Sequence, residues 1–396
     1  MDPAKRANDA AASAVDPDEV LALARALIAS PSENPGGTED EAADVASAFL
    51  RDLGADTRTV RGQAGRPSVV ATMGGGAARD LAWNGHLDTV PAGSLDTWSV
   101  DPFAAEVVDG RLIGRGACDM KGPVASALAA AAAIARAGVE LDGTLTFHLV
   151  ADEELAGVHG TRVLRDQDSL TQRMAVVGEP TDMTLGLAER GGAWVTATAY
   201  GAAAHGSQPD RGINAITSMA RFLLRLQEVL PNIEHPLCGR ATVNAALIEG
   251  GSAPNVVPDR CEVDIDRRTL PGENDPDAVL QPFHDLAAAL RAEHPDVDVR
   301  AEIRDWIDAS ETTSDSEIAE AVRRASAAER GASAPDAGFT GITDARYYIN
   351  DAAIPTVIFG PGSLGVAHTA DEWIDVEDLV LGARIYARLF VDVLTG

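Results

Sequence analysis

Asp119 lies in the glycine-flanked stretch Gly114–Gly122, which reads GRGACDMKG and comes just before the alanine-rich run Val124–Ala135. A carboxylate fixed on such a turn, at the start of a buried helix, is placed to hold a metal ion or a phosphate. Other segments carry side chains of the same chemistry: His86-Leu87-Asp88, Asp152-Glu153-Glu154, Glu179-Pro180-Thr181 and Ala367-His368-Thr369. We interpret Asp119 as a ligand that bridges two metal ions whose shell the other segments complete.

His86 and Asp88 are two residues apart in WNGHLDTVP. In extended backbone their side chains point the same way. A carboxylate in that position can accept the second ring N–H of a metal-binding histidine and fix its tautomer. The spacing alone is more typical of an ordinary pair of surface residues. His86 is favoured as a metal ligand because the sequence changes there from an apolar strand to a turn.

Asp152, Glu153 and Glu154 directly follow the strand-like segment GTLTFHLV, Gly143–Val150. In an open α/β sheet, ligands gather at the carboxyl ends of strands. Consecutive carboxylates there repel one another unless a cation lies among them. Two adjacent glutamates can divide the work, one binding metal and one holding a proton. A solvated acidic turn remains the alternative in so acidic a chain.

Glu179 ends a second apolar strand, MAVVGEP, and His368 follows a third, TVIFGPG. Histidines and carboxylates together at strand ends form a mixed nitrogen and oxygen set that suits Zn²⁺ or Co²⁺. Cys118 is interpreted as packing, because neighbouring side chains on a turn diverge. His148 lies inside a strand and is expected to be a core residue.

The order of predicted elements describes a domain inserted into another. Residues 1–16 are expected to be a frayed leader, followed by a helix that Asp16 caps. Strands then alternate with helices up to about Arg190, which predicts an α/β sheet with helices on both faces. The order strand–helix–strand–strand–helix–strand follows, with one long helix over Asn214–Leu230, and is that of a split βαβ domain. The α/β pattern returns from about Trp306.

The composition excludes some partners. Asp and Glu total 61 against 32 Lys and Arg, a formal net charge of -29. Such a field repels nucleic acid and anionic membranes, and we expect neither as a partner. Lysine occurs only at Lys5 and Lys121. High-GC codon bias and a cytoplasm at high salt both remain open as the cause.

The cellular compartment is predicted from cysteines and apolar runs. The 3 cysteines have no CxxC spacing, which fits a reducing compartment. The first residues lack the apolar region of a signal peptide, and the longest apolar run is too short to span a bilayer. We therefore expect a soluble cytoplasmic protein.

The ordered set GHLDTVP, GRGACDMKG, ADEE, GEPT and GVAHTADEW resembles a known family. It is similar to the dinuclear zinc amidohydrolases and peptidases that include acetylornithine deacetylase, succinyl-diaminopimelate desuccinylase, aminoacylase and glutamate carboxypeptidase. The likeness runs from PSENPGG near the start to the last helix. It implies a zinc-exopeptidase-like α/β catalytic domain with a central mixed sheet flanked by helices, in residues 1–189 and 305–396. Residues 190–304 would form an inserted α+β, ferredoxin-like lid and dimerisation domain.

The resemblance also implies roles for single residues. His86 and Glu179 would bind one metal ion, Glu154 and His368 the other, and Asp119 both. Glu153 would be the general base for a metal-bridging water, and Asp88 would orient His86. The Asp119–Met120 peptide is expected to be cis.

The inserted domain and a later loop are expected to contact substrate. The segment GAAAHGSQPDRGINAI resembles the lid segment of the family, which implies that His205 reaches the active site of the partner in a homodimer. GGSAPNVVPDRCEVDIDRR resembles the lid as well, which implies that Asn255 and Arg268 contact substrate, since arginine can clamp a carboxylate through two hydrogen bonds. The loop GITDARYY resembles a carboxylate-binding loop through Thr343, Asp344 and Arg346. Ile342 and Ala345 depart from the pattern, which leaves the fine choice of substrate open.

The leading hypothesis is a metal-dependent deacylase that cleaves the amide of a carboxylate-bearing N-acyl amino acid, with two zinc ions or cobalt in their place. A carboxypeptidase or dipeptidase with the same metals is the alternative enzyme. A non-catalytic binding relative is a third reading, and the intact Glu153 and ligand set argue against it.

Overall fold

The computed structural model of the chain describes residues 3–76 and 79–395. The helices are α1 Pro3–Ser13, α2 Pro17–Ile28, α3 Asp40–Asp52, α4 Lys121–Arg136, α5 Thr161–Asp166, α6 Ala215–Leu224, α7 Pro276–Glu293, α8 Glu317–Arg330 and α9 Val376–Leu394. The first strands are β1 Asp56–Gln63, β2 Arg66–Gly74, β3 Asp80–His86, β4 Glu106–Val108, β5 Arg111–Ile113, β6 Thr144–Val150, β7 Ala175–Val177, β8 Leu185–Glu189 and β9 Gly191–Tyr200. The remaining strands are β10 Glu234–His235, β11 Gly239–Arg240, β12 Thr242–Gly250, β13 Arg260–Thr269, β14 Asp298–Ile307, β15 Ser310–Glu311, β16 Asp336–Phe339, β17 Thr356–Ile358 and β18 Trp373–Asp375.

The chain forms two compact units. The first contains residues Met1–Leu187, Thr312–Phe339 and Thr343–Gly396. The second contains Ala188–Glu311 and Thr340–Ile342. Within the described part of the chain, no helix is both long and apolar enough to cross a bilayer.

A mixed sheet forms the centre of the first unit, with the strand order β1-β2-β6-β3-β7-β17-β8. The inner strands β6, β3, β7 and β17 run parallel, whereas β1, β2 and β8 pair antiparallel to their neighbours. The carboxyl ends of the parallel strands therefore meet at one edge of the sheet, where ligands bind in open α/β folds.

Alternation along β6 assigns its side chains to the two faces of the sheet. Phe147 packs its ring edge-on against Phe390 of α9, on the face where Trp83 meets Tyr386. The next residue, His148, points to the other face and contacts Tyr348. The buried His148 is thus a core residue, as predicted.

Helix α4 is enclosed from Lys121 to Ile134. An α-helix that is apolar on every side is an internal helix. Here the run of alanines lets α2 and α9 pack closely on it. The peptide between Asp119 and Met120, just before α4, is cis as predicted.

The second unit is an antiparallel sheet with the order β12-β13-β9-β14. Two helices, α6 and α7, contribute Phe222 and Phe283 to the core that covers one face of the sheet. Side chains of β13 alternate between buried and partly exposed, as a sheet with one covered face requires. This is the ferredoxin-like arrangement that the sequence predicted.

Two predictions of local structure are wrong. Residues from Pro3 to Ser13 form α1 instead of a frayed leader, and the first two residues lie outside the described part. The polar sequence conceals a narrow face on which Ala11 and Ala12 are buried, and Asp9 pairs with Arg388 at 2.8 Å. The predicted helix Asn214–Leu230 is also interrupted: α6 ends at Leu224, and a separate single turn follows at Leu226–Val229.

Candidate metal centre

Five side chains converge where the parallel strands end. His86 is the last residue of β3, Glu154 lies in the single turn after β6, and Glu179 lies just after β7. Asp119 lies two residues before the start of α4, and His368 lies in the loop between β17 and β18. All of them belong to the first unit.

Their ligand atoms form two groups that share one member. In the described residues, His86, Asp119 and Glu179 form one group and Asp119, Glu154 and His368 the other, with the ligand atoms of each group within 4.8 Å of one another. Asp119 Oδ1 lies 3.0 Å from His86 Nε2, and Asp119 Oδ2 lies 3.3 Å from His368 Nε2. Asp119 therefore presents one carboxylate oxygen to each group.

The protonation of this cluster fits a cation site. Burial and the charge of Asp119 raise the pKa of Glu179 well above its usual value. Burial also raises the pKa of Glu154. Hydrogen bonds to Asp119 and Glu154 raise the pKa of His368 to about 10. These pKa shifts indicate an excess of negative charge in the cluster, and a bound cation would offset it. Histidine nitrogen and carboxylate oxygen are ligands that suit divalent metals.

His86 is held in the tautomer that metal binding needs. Its Nδ1 lies 2.9 Å from the carbonyl oxygen of Asp88 and 3.6 Å from the Asp88 carboxylate. The carbonyl accepts the Nδ1 proton, so Nε2, which lies 3.0 Å from Asp119 and 3.8 Å from Glu179, is the nitrogen that would bind a metal ion. The sequence predicted that the Asp88 carboxylate would accept this proton. The structure corrects this: the backbone carbonyl of Asp88 is the nearer acceptor.

The carboxylate of Asp88 instead accepts backbone N–H groups of the loop after β6. Its Oδ1 accepts from Glu153 at 3.1 Å and its Oδ2 from Glu154 at 3.2 Å. Asp88 is completely buried. It therefore fixes the position of the two glutamates, one of which belongs to a metal-binding group.

Glu153 is not a member of either group but is the neighbour of Glu154 in the same turn. Burial raises its pKa well above the usual value, and the nearby charges of Asp344 and Glu154 act in the same direction. Bound cations would act in the opposite direction, since positive charge favours the carboxylate. A carboxyl group under these opposing influences is suited to take up a proton and release it again.

Sequence reasoning missed a second buried carboxylate that supports Asp119. Glu372 Oε1 accepts the backbone N–H groups of Cys118 at 2.9 Å and Asp119 at 3.0 Å. Its other oxygen pairs with Arg115 at 2.5 Å. In the sequence, Glu372 is visible only as part of the acidic pair Asp371-Glu372 shortly after His368. Nothing in that pair indicates that Glu372 contacts the turn around Asp119. Cys118 itself is buried, with its sulfur 3.2 Å from the carbonyl of Ser363.

The predicted carboxylate-binding loop, which contains Thr343 and Arg346, is hydrogen-bonded to the turn that follows Glu154. Arg346 donates to the carbonyl of Ala156 at 2.9 Å and also to the carbonyl of Thr343. Asp344 accepts a hydrogen bond from Thr161 at 2.5 Å. Thr343 and Arg346 are both buried.

The other predicted contact residues lie in the second unit. His205 and Asn255 are neighbours there: the N–H of Gly206 donates to the carbonyl of Asn255 at 2.7 Å. Both side chains are exposed, and His205 Nδ1 lies 2.8 Å from the hydroxyl of Ser207. Arg268, on β13, pairs with Asp266 at 3.0 Å. These three residues and the metal-binding groups belong to different units.

A carboxylate shared by two histidine–carboxylate groups, at the strand ends of a mixed α/β sheet, defines the class of dinuclear metallohydrolases. The particular family follows from comparison with known proteins. The model described as Peptidase family M20/M25/M40 matches residues 82–392. The chain belongs to this family, and it is an enzyme of the dinuclear metallohydrolase class.

Curated relatives match along most of their length. Acetylornithine deacetylase of Myxococcus xanthus is 32% identical over 348 residues, which cover 86% of this chain and 85% of that protein. Succinyl-diaminopimelate desuccinylase of Cereibacter sphaeroides strain ATCC 17025 is 31% identical over 392 residues, 96% of this chain and 100% of that protein.

Solved structures share the fold at lower identity. Aminopeptidase PepT from Bacillus cereus has a TM-score of 0.78 at 22% identity and covers 96% of this chain and 99% of its own. YXEP of Bacillus subtilis, described as a dinuclear metal binding peptidase from the M20 family, has a TM-score of 0.73 at 20% identity, covering 96% and 98%. These likenesses confirm the predicted fold.

Proposed function

We propose that this chain hydrolyses the amide bond of an N-acyl amino acid, as a deacylase of the acetylornithine deacetylase and succinyl-diaminopimelate desuccinylase type. The observation that carries the proposal is the Asp119 carboxylate, with one oxygen in each ligand group and Glu153 in the adjoining turn. The names of the two curated relatives favour an acylated amino acid as substrate.

His86, Asp119 and Glu179 would hold one divalent cation, and Asp119, Glu154 and His368 a second. Zn²⁺ is proposed, with Co²⁺ as an alternative. When bound, two such cations would polarise the scissile carbonyl and lower the pKa of the attacking water. Glu153 accepts the proton of that water and later delivers it to the leaving amine. Asp88 positions Glu153 through its backbone N–H.

The remaining predicted residues are proposed to recognise substrate. His205 would donate to the oxyanion that develops as the carbonyl is attacked. Thr343 and Arg346 would bind the free carboxylate of the amino acid, because guanidinium groups match carboxylate geometry. Asn255 and Arg268 are proposed as further residues that contact substrate.

The test is the activity of metal-reconstituted protein on N-acetyl and N-succinyl amino acids beside unmodified dipeptides. We expect kcat/KM for one acylated class to exceed that for dipeptides by at least ~100-fold, a difference of about 2.7 kcal/mol in transition-state binding. Removal of metal by chelation should abolish turnover, and Zn²⁺ or Co²⁺ should restore it at two ions per chain.

A carboxypeptidase or dipeptidase is the second candidate, because the solved structures that share the fold include peptidases such as human carnosine dipeptidase 1 (TM-score 0.74, 18% identity, covering 98% of this chain and 100% of that chain). Faster cleavage of dipeptides in the same panel would favour it. Absence of turnover on every substrate, with two metals bound, would favour a binding protein.

We also propose that the protein is a cytoplasmic homodimer that pairs through the second unit. Strand β12 is the outer strand of its sheet, and Leu247 and Ile248 on it are 68% and 62% exposed. Such an edge pairs readily with a second copy. Light scattering should give twice the chain mass, and Leu247→Glu with Ile248→Glu should give the monomer. Leu224→Glu, at an exposed leucine on α6, is the matched control.

A further inference from the structure

A buried amide joins the loop before α3 to the strand ends of the metal centre. Asn34 is 1% exposed, and its Nδ2 donates to the carboxylates of Asp88 at 2.9 Å and Asp152 at 3.0 Å. Its Oδ1 accepts from Arg66 at 2.8 Å. Both amide hydrogens and the amide oxygen are therefore used. The opposite orientation would place the oxygen against two carboxylates, so the network fixes which way the amide points.

Each carboxylate that Asn34 holds in turn holds the loop after β6. Asp88 accepts the N–H groups of Glu153 and Glu154. Asp152 accepts the N–H of His159 at 2.9 Å, where the same loop ends. The amide is thus linked through the two aspartates to the loop that carries Glu153 and Glu154. It does not belong to either metal-binding group.

The position of Asn34 is itself fixed. Its backbone N–H donates to the carbonyl of Thr89 at 2.7 Å, and the hydroxyl of Ser32 donates to the carbonyl of Leu87 at 2.6 Å. Arg66, which binds the amide oxygen, pairs through its other nitrogen with the buried Glu39. The amide is thereby supported from both sides.

Asp88 and Asp152 need this donor for an electrostatic reason. They are 0% and 4% exposed, so water screens their mutual repulsion poorly. An N–H₂ group placed between them gives each a hydrogen bond and offsets the repulsion.

We propose that Asn34 is a positioning residue of the hydrolytic reaction, whose side-chain amide clamps Asp88 and Asp152 and so sets the place of Glu153 and Glu154. The inference rests on the proposed function for its kinetic test, whereas its metal-binding test is independent of substrate. Outer hydrogen-bond partners of metal ligands commonly change metal affinity by 10–100-fold.

The decisive variant is Asn34→Asp. It keeps the size of the side chain and an acceptor for Arg66 but replaces both amide donors by a third carboxylate. We expect kcat to fall ~100-fold with KM changed less than ~3-fold, because a misplaced base impairs chemistry more than substrate binding. Calorimetric titration of the metal-free protein with Zn²⁺ should show affinity for one of the two ions lowered at least ~10-fold. Asn34→Ser, which retains a single donor, should recover part of both losses.

Asn84→Ala is the matched control. Asn84 is an equally buried amide on β3 that donates to Thr161 instead of the two aspartates. It should lower the melting temperature without the loss of kcat at constant KM. Zn²⁺ binding and kcat of the Asn34→Asp protein within ~3-fold of the wild type would overturn the proposal, as would equal kinetic losses in the Asn84 control. If the wild type turns over no substrate, the proposed function fails while the Zn²⁺ titration still decides the role of Asn34.

Discussion

At the scale of single residues, Glu153 carries the clearest prediction. Glu153→Gln removes the group that accepts and returns the proton but leaves every ligand atom of the two metal-binding groups in place. We expect kcat to fall by about 10³-fold, within the range for loss of a general base, while two metal ions per chain remain bound by elemental analysis. Unchanged turnover would refute the role of Glu153. Glu140→Gln, at an exposed carboxylate, should behave as the wild type.

Glu372 gives a prediction about metal affinity. It accepts the N–H groups of Cys118 and Asp119, so the neutral Glu372→Gln should loosen the turn that carries the shared ligand. Affinity for Zn²⁺ in calorimetry should fall about 10-fold, with most of the helical circular dichroism retained. Glu377→Gln, at an exposed position in the first turn of α9, controls for the lost charge. Equal Zn²⁺ affinity in the two variants would contradict the assignment.

The five side chains that form the two ligand groups could be predicted from the sequence, whereas Asn34 and Glu372, which hydrogen-bond around them, could not. His86, Asp119, Glu154, Glu179 and His368 stand in motifs whose order carries information. Asn34 acts through Asp88 and Asp152, residues far from it along the chain. No spacing rule connects an amide in one loop with carboxylates in two others, and only the folded chain brings them together.

At the scale of secondary-structure elements, β6 contains a histidine, His148, that makes the stability of the fold depend on pH. Burial, and to a lesser degree the charge of Arg58, lowers its pKa from 6.5 to about 3. The unfolded chain therefore binds this proton below pH 6.5 while the folded chain does not, and folding stability falls as the pH decreases through that range. The loss approaches about 1.4 kcal/mol per pH unit.

The measurement compares urea unfolding of the wild type and His148→Gln between about pH 7 and pH 4. The variant should be less stable at pH 7, because His148 is packed against Tyr348. Its stability should nevertheless decline less steeply with falling pH, since it lacks this group. His294→Gln, at an exposed histidine, should keep the wild-type slope. Parallel curves for the wild type and His148→Gln would contradict the prediction.

Element prediction succeeded where periodicity was strong and failed where the buried face was narrow. The inner strands β6 and β7 are apolar, and the sequence predicted both as strands. Helix α1 buries alanines that sequence reasoning treated as part of a polar segment. Strand β1 has a single buried side chain, Val60, so its sequence shows little alternation of apolar and polar residues. Tertiary contacts, rather than local pattern, determine both elements.

At the scale of the whole molecule, the proposed homodimer can be tested by mixing two inactive variants. If His205 completes the active site of the partner, Glu153→Gln and His205→Ala proteins should regain activity after subunit exchange. About one quarter of wild-type activity is expected at equal mixing, since half of the symmetric dimers are mixed and each has one intact site. No recovery after exchange, verified by mass spectrometry, would place His205 outside the partner's site.

The net charge of -29 predicts a dependence on ionic strength. Mutual repulsion of surface carboxylates opposes folding. Raising salt from about 0.01 M to about 1 M shortens the screening length from about 30 Å to about 3 Å. The melting temperature should rise by several degrees in NaCl. Sucrose at equal osmolality should raise the melting temperature by less. A need for molar salt to fold would favour the high-salt cytoplasm over codon bias, and an unchanged melting temperature would refute the repulsion.

The two oxygens of Asp119, one in each ligand group, would link the occupancies of two metal sites thermodynamically. A first cation would withdraw electron density from the shared carboxylate and repel a second positive charge nearby, so the stepwise association constants should differ. Titration should then resolve two transitions in sequence. At scarce metal the population would consist mainly of singly loaded molecules, and the supply of the second ion would set how much of the protein is competent for hydrolysis.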